Sequence, residues 1–210
     1  KMNLQKAIHL RMFKTLIPVI VGMLLFSNIL ESQTFGGGLQ VSGCLSQIDG
    51  DKVFGFHKPG YQLAVYGNAK ISKITDLEIQ FSYNQRGSRS TKNDLYDIKF
   101  NLNYLDVPIL FVVKDWINVE ADQEYYRMHF FGGFSVGKLI SSSSFSGVDK
   151  DFKPFDFSWL GGLKYFYSEN WALTARYTRS ILPIYIYSDG NREIKMISYF
   201  ISLGLNYKFN

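Results

Sequence analysis

The sequence predicts an all-β fold: an eight-stranded antiparallel transmembrane β-barrel of the outer-membrane type, preceded by a cleavable signal peptide. Three observations point there. The first is the C-terminal stretch, in which Ile197, Tyr199, Ile201, Leu203, Leu205, Tyr207 and Phe209 alternate with Ser198, Phe200, Ser202, Gly204, Asn206 and Lys208. Period two marks a strand, and apolar residues on one face with mostly small or polar ones on the other suit a wall between lipid and a polar interior. Strands of soluble sheets usually run about 3 to 10 residues, so alternation over 197–209 is long for them. The second is composition: aromatic residues make up 17% of the chain, as expected where many side chains sit at a membrane interface. The third is that the alternation repeats along the chain, with turn signals between the repeats.

The N-terminus fits the same compartment. Lys14 precedes an apolar run over 16–26, followed by small and polar residues around Ser27, Asn28, Ser32 and Gln33, the layout of a secretory signal peptide. The run is shorter than the roughly 17 to 25 apolar residues a spanning helix needs, and Pro18 and Gly22 interrupt it. Residues 1–32 are assigned to the signal peptide and 33–210 to the barrel, with 1–11 upstream of a natural start at Met12. Setting 1–32 aside takes the balance from 23 Lys and Arg against 18 Asp and Glu to 19 against 17, or +2. A near-neutral chain without a basic block offers no footprint for nucleic acid. The single cysteine, Cys44, cannot form an internal disulfide and reads as a small barrel residue.

Eight strands follow in order. The first, 35–46, turns Phe35, Leu39, Val41 and Leu45 outward and Gly36, Gly38, Gln40, Ser42, Cys44 and Ser46 inward. The second, 61–71, puts Tyr61, Leu63, Val65, Ala69 and Ile71 out and Gln62, Ala64, Tyr66, Asn68 and Lys70 in. In the third, Leu77, Ile79, Phe81 and Tyr83 face lipid, with Glu78, Gln80, Ser82, Asn84 and Arg86 inside. The fourth begins near Tyr96 with Ile98, Phe100, Leu102 and Tyr104 out and Asp97, Lys99, Asn101 and Asn103 in. It loses phase at Leu105 and Asp106, where a bulge before Pro108 bends it toward an end near Val113.

The fifth, 127–139, offers Met128, Phe130, Phe134 and Val136 to lipid and Arg127, His129 and Ser135 to the lumen. The sixth, 156–167, has Phe157, Trp159, Leu163, Tyr165 and Tyr167 outward, and Ser158, Gly162 and Lys164 inward. In the seventh, Trp171, Leu173, Ala175 and Tyr177 alternate with Ala172, Thr174, Arg176 and Thr178. The eighth is the C-terminal stretch. Longer connections fall at 47–59, 87–95, 140–155 and 181–194, and an acidic stretch at 114–125 lengthens one short turn. An even strand number puts both termini on one side, and short turns facing the periplasm make that side periplasmic.

A barrel of eight strands is just wide enough for its own side chains to fill. Here these are Gln40, Glu78, Arg86, Asp97, Lys99, Arg127, Lys164, Arg176 and Lys208. Unpaired charges in so narrow a space are costly, so Glu78 and Asp97 are expected to pair with bases, and the lumen reads as a plug rather than a pore. Catalysis needs a nucleophile and base within hydrogen-bond reach. Beyond the signal peptide the only histidines are His57, in the first long loop, and His129 at the other end, six strand residues or about 20 Å from Ser135. No catalytic, cofactor-binding or metal-binding set is assigned, and no cofactor is implied.

Tyr83-Asn84-Gln85-Arg86-Gly87, Tyr104-Leu105-Asp106-Val107-Pro108, Ala175-Arg176-Tyr177 and the ending Gly204-Leu205-Asn206-Tyr207-Lys208-Phe209 together resemble the PorT-like outer-membrane β-barrels common in Bacteroidetes. The Tyr-Leu-acid-aliphatic-Pro element is the most specific part. Ser202, Gly204, Tyr207 and Phe209 also resemble the terminal signal read by the barrel-assembly machinery, a partner during insertion. The resemblance implies an integral outer-membrane protein in contact with lipid, and some members are implicated in type IX protein secretion. Two functional readings stand. One is a non-enzymatic accessory or structural barrel docking with an envelope or secretion complex. The other is a surface ligand-binding or adhesive barrel acting through outer loops that hold Ser141 to Ser144, Phe145, Tyr185 and Tyr187.

Overall fold

The computed structural model describes residues 34–92, 94, 98–120, 123–144, 152–190 and 192–209. The signal-peptide assignment, Asp97 and Phe145 lie outside them. Among the described residues nine strands form: β1 (Phe35–Asp49), β2 (Lys58–Lys70), β3 (Thr75–Arg89), β4 (Lys99–Glu120), β5 (Gln123–Ser144), β6 (Phe155–Phe166), β7 (Trp171–Ser180), β8 (Tyr185–Asp189) and β9 (Arg192–Lys208). Pairing is antiparallel throughout. The order runs β1 to β7, then β9, and β9 pairs back onto β1 from Gly38↔Lys208 to Asp49↔Ile197, so the sheet closes into a ring. Closure pairs the first strand of the ring with the last and so removes the two edges an open sheet would expose to lipid.

The closed ring holds eight strands, β1 to β7 and β9, and the first correction concerns the connection expected at 181–194, which carries a ninth strand outside the ring. β8 arises inside the predicted connection 181–194, pairing with the start of β9 from Tyr185↔Met196 to Asp189↔Arg192. Its cause is packing, because the adjoining Ile184 and its partner Met196 are buried in an apolar cluster. A second correction concerns 114–125. No long turn forms there: β4 continues to Glu120 and β5 starts at Gln123, paired through Ile117↔Tyr126 and Asn118↔Tyr125. β-branched and aromatic residues outweigh the acidic ones in setting the local conformation.

The third correction is one of facing. Phe100, Leu102 and Tyr104 are buried inside the ring, whereas Lys99 is exposed and Asn101 and Asn103 share its outward face. No phase is lost at Leu105. Even-numbered residues point inward along β4 from Phe100 to Val112, and the bulge lies on β5, where Ile140 has no partner between Asn103↔Ser141 and Tyr104↔Leu139. Pro108, which lacks an N–H, falls in the gap of the β3–β4 ladder between Ile79↔Ile109 and Ser82↔Asp106. On the remaining strands the outward rows of Leu39, Val41, Leu63, Val65, Ile79, Phe81, Phe134, Leu173 and Leu203 are exposed, as lipid requires.

Aromatic rings band the outer wall at both ends. Trp171, Tyr207 and Phe209 pack in sequence near the termini, the first pair tilted and the second edge to face. Phe56, Tyr199, Tyr177 and Trp159 form a second series toward the loops. Such girdles sit at the two membrane interfaces of outer-membrane barrels.

Candidate functional site

The lumen is where charged side chains of strands distant in sequence meet. In its middle, Lys164 Nζ of β6 donates to Glu78 Oε2 of β3 at 2.7 Å and to Oε1 at 2.9 Å. Gln80 Nε2 donates to the same Glu78 Oε1, and Gln80 Oε1 accepts from Arg176 Nη2 of β7 at 2.9 Å. Arg176 Nη2 lies 3.4 Å from Gln40 Oε1, and Gln40 in turn donates to Ser42 Oγ. One chain of contacts thereby ties β6, β3, β7 and β1 across the interior. All of these groups are almost fully buried, and only such satisfaction offsets the cost of taking charges out of water.

Nearer the loops, Arg86 Nη2 donates to Asp156 Oδ2 at 2.7 Å and lies 3.9 Å from Asp106 Oδ1. Ser158 and Asn84 donate to these two carboxylates. Gly137 gives Asp106 its place, since a Cβ there would collide with the Asp106 carboxylate. The guanidinium of Arg86 stacks 3.9 Å from the Tyr104 ring centroid and 5.6 Å from that of Phe200. Near the termini, Asp76 pairs with Lys114 at 2.7 Å and accepts from Asn68. Tyr66 Oη donates to Asn206 Oδ1 at 2.9 Å, reaching it over Gly38, where a side chain would strike the Tyr66 hydroxyl.

Above Arg86 the inside becomes apolar. Ile48, Phe100, Leu102, Tyr104, Phe152, Ile184 and Met196 form one buried cluster, with Ile98, Leu139, Tyr185 and Tyr187 packed against it. The β1–β2 loop is folded beside it: Val53 N–H donates to Asp51 Oδ1 at 2.9 Å, and burial pushes the Asp51 carboxyl above the usual carboxylate range.

The structure therefore brings Gln40, Glu78, Arg86, Lys164 and Arg176 together as expected, and Glu78 has its cation. Lys99 is not a lumen residue. Arg127 lies beyond the last β5–β6 pair, Met128↔Tyr165, with its guanidinium 6.0 Å from the Trp116 ring centroid. Lys208 is half-buried near the termini. Cys44 is buried and donates to Gln85 O, in keeping with a structural role. His57 is exposed in the β1–β2 loop, and the His129 ring packs 4.4 Å from that of Phe166 near the other end. Ser141 to Ser144 belong to β5 rather than to a loop. Tyr187 donates its hydroxyl to Gly50 O and stacks on Tyr185 at 5.9 Å, so both rings hold the loops together. Sequence reasoning missed Asp106 and Asp156 as partners of Arg86, although both stand at inward positions of their strands.

A closed antiparallel ring with an apolar outer wall and a charged, self-paired interior is joined by a direct match. Residues 32–186 match the family described as outer membrane protein beta-barrel domain. The chain belongs to that family. It is a transmembrane β-barrel of the outer membrane, and its outer wall contacts membrane lipid. No curated protein sequence matches it. Among solved structures, the barrel is similar to Ail, the attachment invasion locus protein of Yersinia pestis, crystallised with the heparin analogue sucrose octasulfate: 14% identity, 83% of this chain and 99% of that one covered, TM-score 0.46. It is also similar to Neisserial surface protein A, with 13% identity, coverage of 85% and 100%, and TM-score 0.46. The N-terminal barrel of Pseudomonas aeruginosa OprF gives 10% identity, coverage of 84% and 100%, and TM-score 0.39.

Proposed function

We propose that this outer-membrane barrel is a non-enzymatic accessory component of envelope machinery, with a closed lumen as its scaffold and the far end of the β4–β5 hairpin as its docking element. The hairpin carries the reading. β3 ends its pairing with β4 at Thr75↔Val113, with Lys114 N–H still donating to Ile74 O, and β6 ends its pairing with β5 at Met128↔Tyr165, so 115–120 and 123–127 project beyond both neighbours. Trp116, Ile117 and Val119 on this projection are 58%, 48% and 70% exposed. Trp116 adopts a left-handed φ of 56°, a strained conformation for a bulky residue and one that tends to mark functional sites. The free sides of the hairpin also offer unpaired strand edges to an added strand.

The hairpin lies at the end that carries the termini, periplasmic if the short turns face that way. The resemblance to PorT-like barrels makes type IX secretion the machinery to examine first. The adhesive reading loses support because Tyr185 and Tyr187 are spent on packing. The test is co-purification from native outer membranes in mild detergent, comparing wild type with a chain in which 115–127 are replaced by a two-residue turn. Loss of an envelope partner with unchanged heat-modifiable migration supports docking by the hairpin. A partner kept by that variant but lost on deletion of 145–151, beyond the end of β5, transfers the function to the loops. Planar-bilayer recording should be silent, and anion-selective steps abolished by Arg176→Ala would overturn the closed lumen.

A further inference from the structure

The inverted facing of β4 leaves a cationic, polar strip on the outer wall that neither the lumen nor the hairpin explains. Arg89 of β3 and Lys99 of β4 stand directly opposite each other in the ladder and are both exposed. Like charges at directly opposed positions destabilise a sheet, so the pair calls for an anion. Below it on the same face, Asn101 and Asn103 lie opposite Ser143 and Ser141, with Asn103 Nδ2 donating to Ser141 Oγ at 2.8 Å. Lys138, exposed and opposite both Leu105 and Phe155, closes the strip where the apolar wall begins.

No described carboxylate faces outward along this part of β3, β4 and β5, and Arg89, Lys99 and Lys138 have no ion pair among the described residues. Asp94, in the adjoining loop, is turned onto the Thr91 N–H and hydroxyl, which hold its carboxyl below the usual range. From Leu105 to Lys99 the strip extends about 20 Å along β4 at roughly 3.3 Å per residue. It thus sets cations and amide and hydroxyl groups directly above exposed Leu105, Ile109 and Phe155. That order, anion receptor above and hydrocarbon contact below, is complementary to an amphiphile with a phosphorylated sugar head and acyl tails.

We propose that the outer wall of β3 to β5 binds the phosphate groups of an outer-leaflet glycolipid through Arg89, Lys99 and Lys138, with its acyl chains lying on the Leu105 and Phe155 surface. The proposal shares with the functional reading only its orientation, in which the loops face outward.

The experiment uses the full barrel folded in zwitterionic detergent, with diphosphorylated lipid A as probe and native mass spectrometry or thermal shift as readout. Arg89→Gln with Lys99→Gln, both at exposed positions, should weaken binding about tenfold or more, as loss of two charge-assisted contacts implies. Dephosphorylated lipid A should bind the wild type as weakly as the diphosphorylated form binds the variant. Lys73→Gln, near the termini, should leave binding unchanged. Equal binding by variant and wild type, an equal loss with Lys73→Gln, or equally tight binding of free glucosamine phosphate would each overturn the proposal. Labelling a Lys99→Cys chain on intact cells with an impermeant maleimide reads the orientation separately, so a failure of sidedness is distinguishable from a failure of binding.

Discussion

The lumen has two unlike halves. From Asp76 to Asp156 it is filled by ion pairs and amides, whereas beyond Arg86 the same inward rows carry Ile48, Phe100, Leu102, Phe152, Ile184 and Met196. The backbone geometry is the same in both, and what changes is the medium outside. Where lipid surrounds the wall, the outward row of β4 is Leu105, Ile109, Phe111 and Val113, and polar groups are left for the interior. Where β4 rises past that band, its outward row becomes Asn103, Asn101 and Lys99, and the interior takes the apolar side chains as in a water-soluble protein. Arg86 marks the change, bonded to Asp156 on one side and stacked on Tyr104 and Phe200 on the other.

Substitution on either side of that boundary separates the two kinds of core. Lys164→Met strands Glu78 without its cation and should cost about 3–5 kcal/mol in urea unfolding from detergent, with most of the loss recovered when Glu78→Leu is added. Failure of the second change to recover stability would mean that the pair holds the ring rather than merely neutralising itself. In the apolar half, Leu102→Ala should cost about 3 kcal/mol through the void it leaves, with no partner change able to recover it. Lys99→Leu decides the facing. An exposed outward position predicts a change within about 0.5 kcal/mol, while a cation lost from the lumen would show a far larger one.

The smallest effect is a pH dependence at the loop end. Burial raises the Asp51 carboxyl when the protein folds, so the folded state holds its proton to higher pH than the unfolded chain. This contribution favours folding at low pH and is lost as pH rises through the folded value. Asp51→Asn should therefore flatten the fall in unfolding midpoint measured as pH rises from about 4, the ordinary carboxylate value, through the raised one.

Strand positions were legible in the sequence because every spanning strand must alternate, and the rows of Val41, Ile79 and Leu203 announce which side is wet. Periodicity does not carry polarity, however. Phe100, Leu102 and Tyr104 look lipid-facing by composition, and only their height above the membrane turns them inward. The inward charges of β3, β6 and β7 could be read off the alternation, but not their pairing, because Glu78–Lys164 joins side chains across the lumen that the chain separates by two strands. The β4–β5 projection was hidden by its acidic tip, which has the composition of a turn.

The β1–β9 ladder joins the first strand of the barrel to the last. Every other contact between ring neighbours joins strands close in sequence, but this one joins strands from the two ends of the barrel and must wait for β9. Until then β1 and the growing end of the sheet are two open edges lined with unsatisfied amides, in a protein whose outer wall is already greasy. Folding is accordingly a race between a slow, long-range closure and edge-to-edge association of unfinished sheets. Slower joining of the two ends therefore predicts less finished barrel at unchanged stability of the ring.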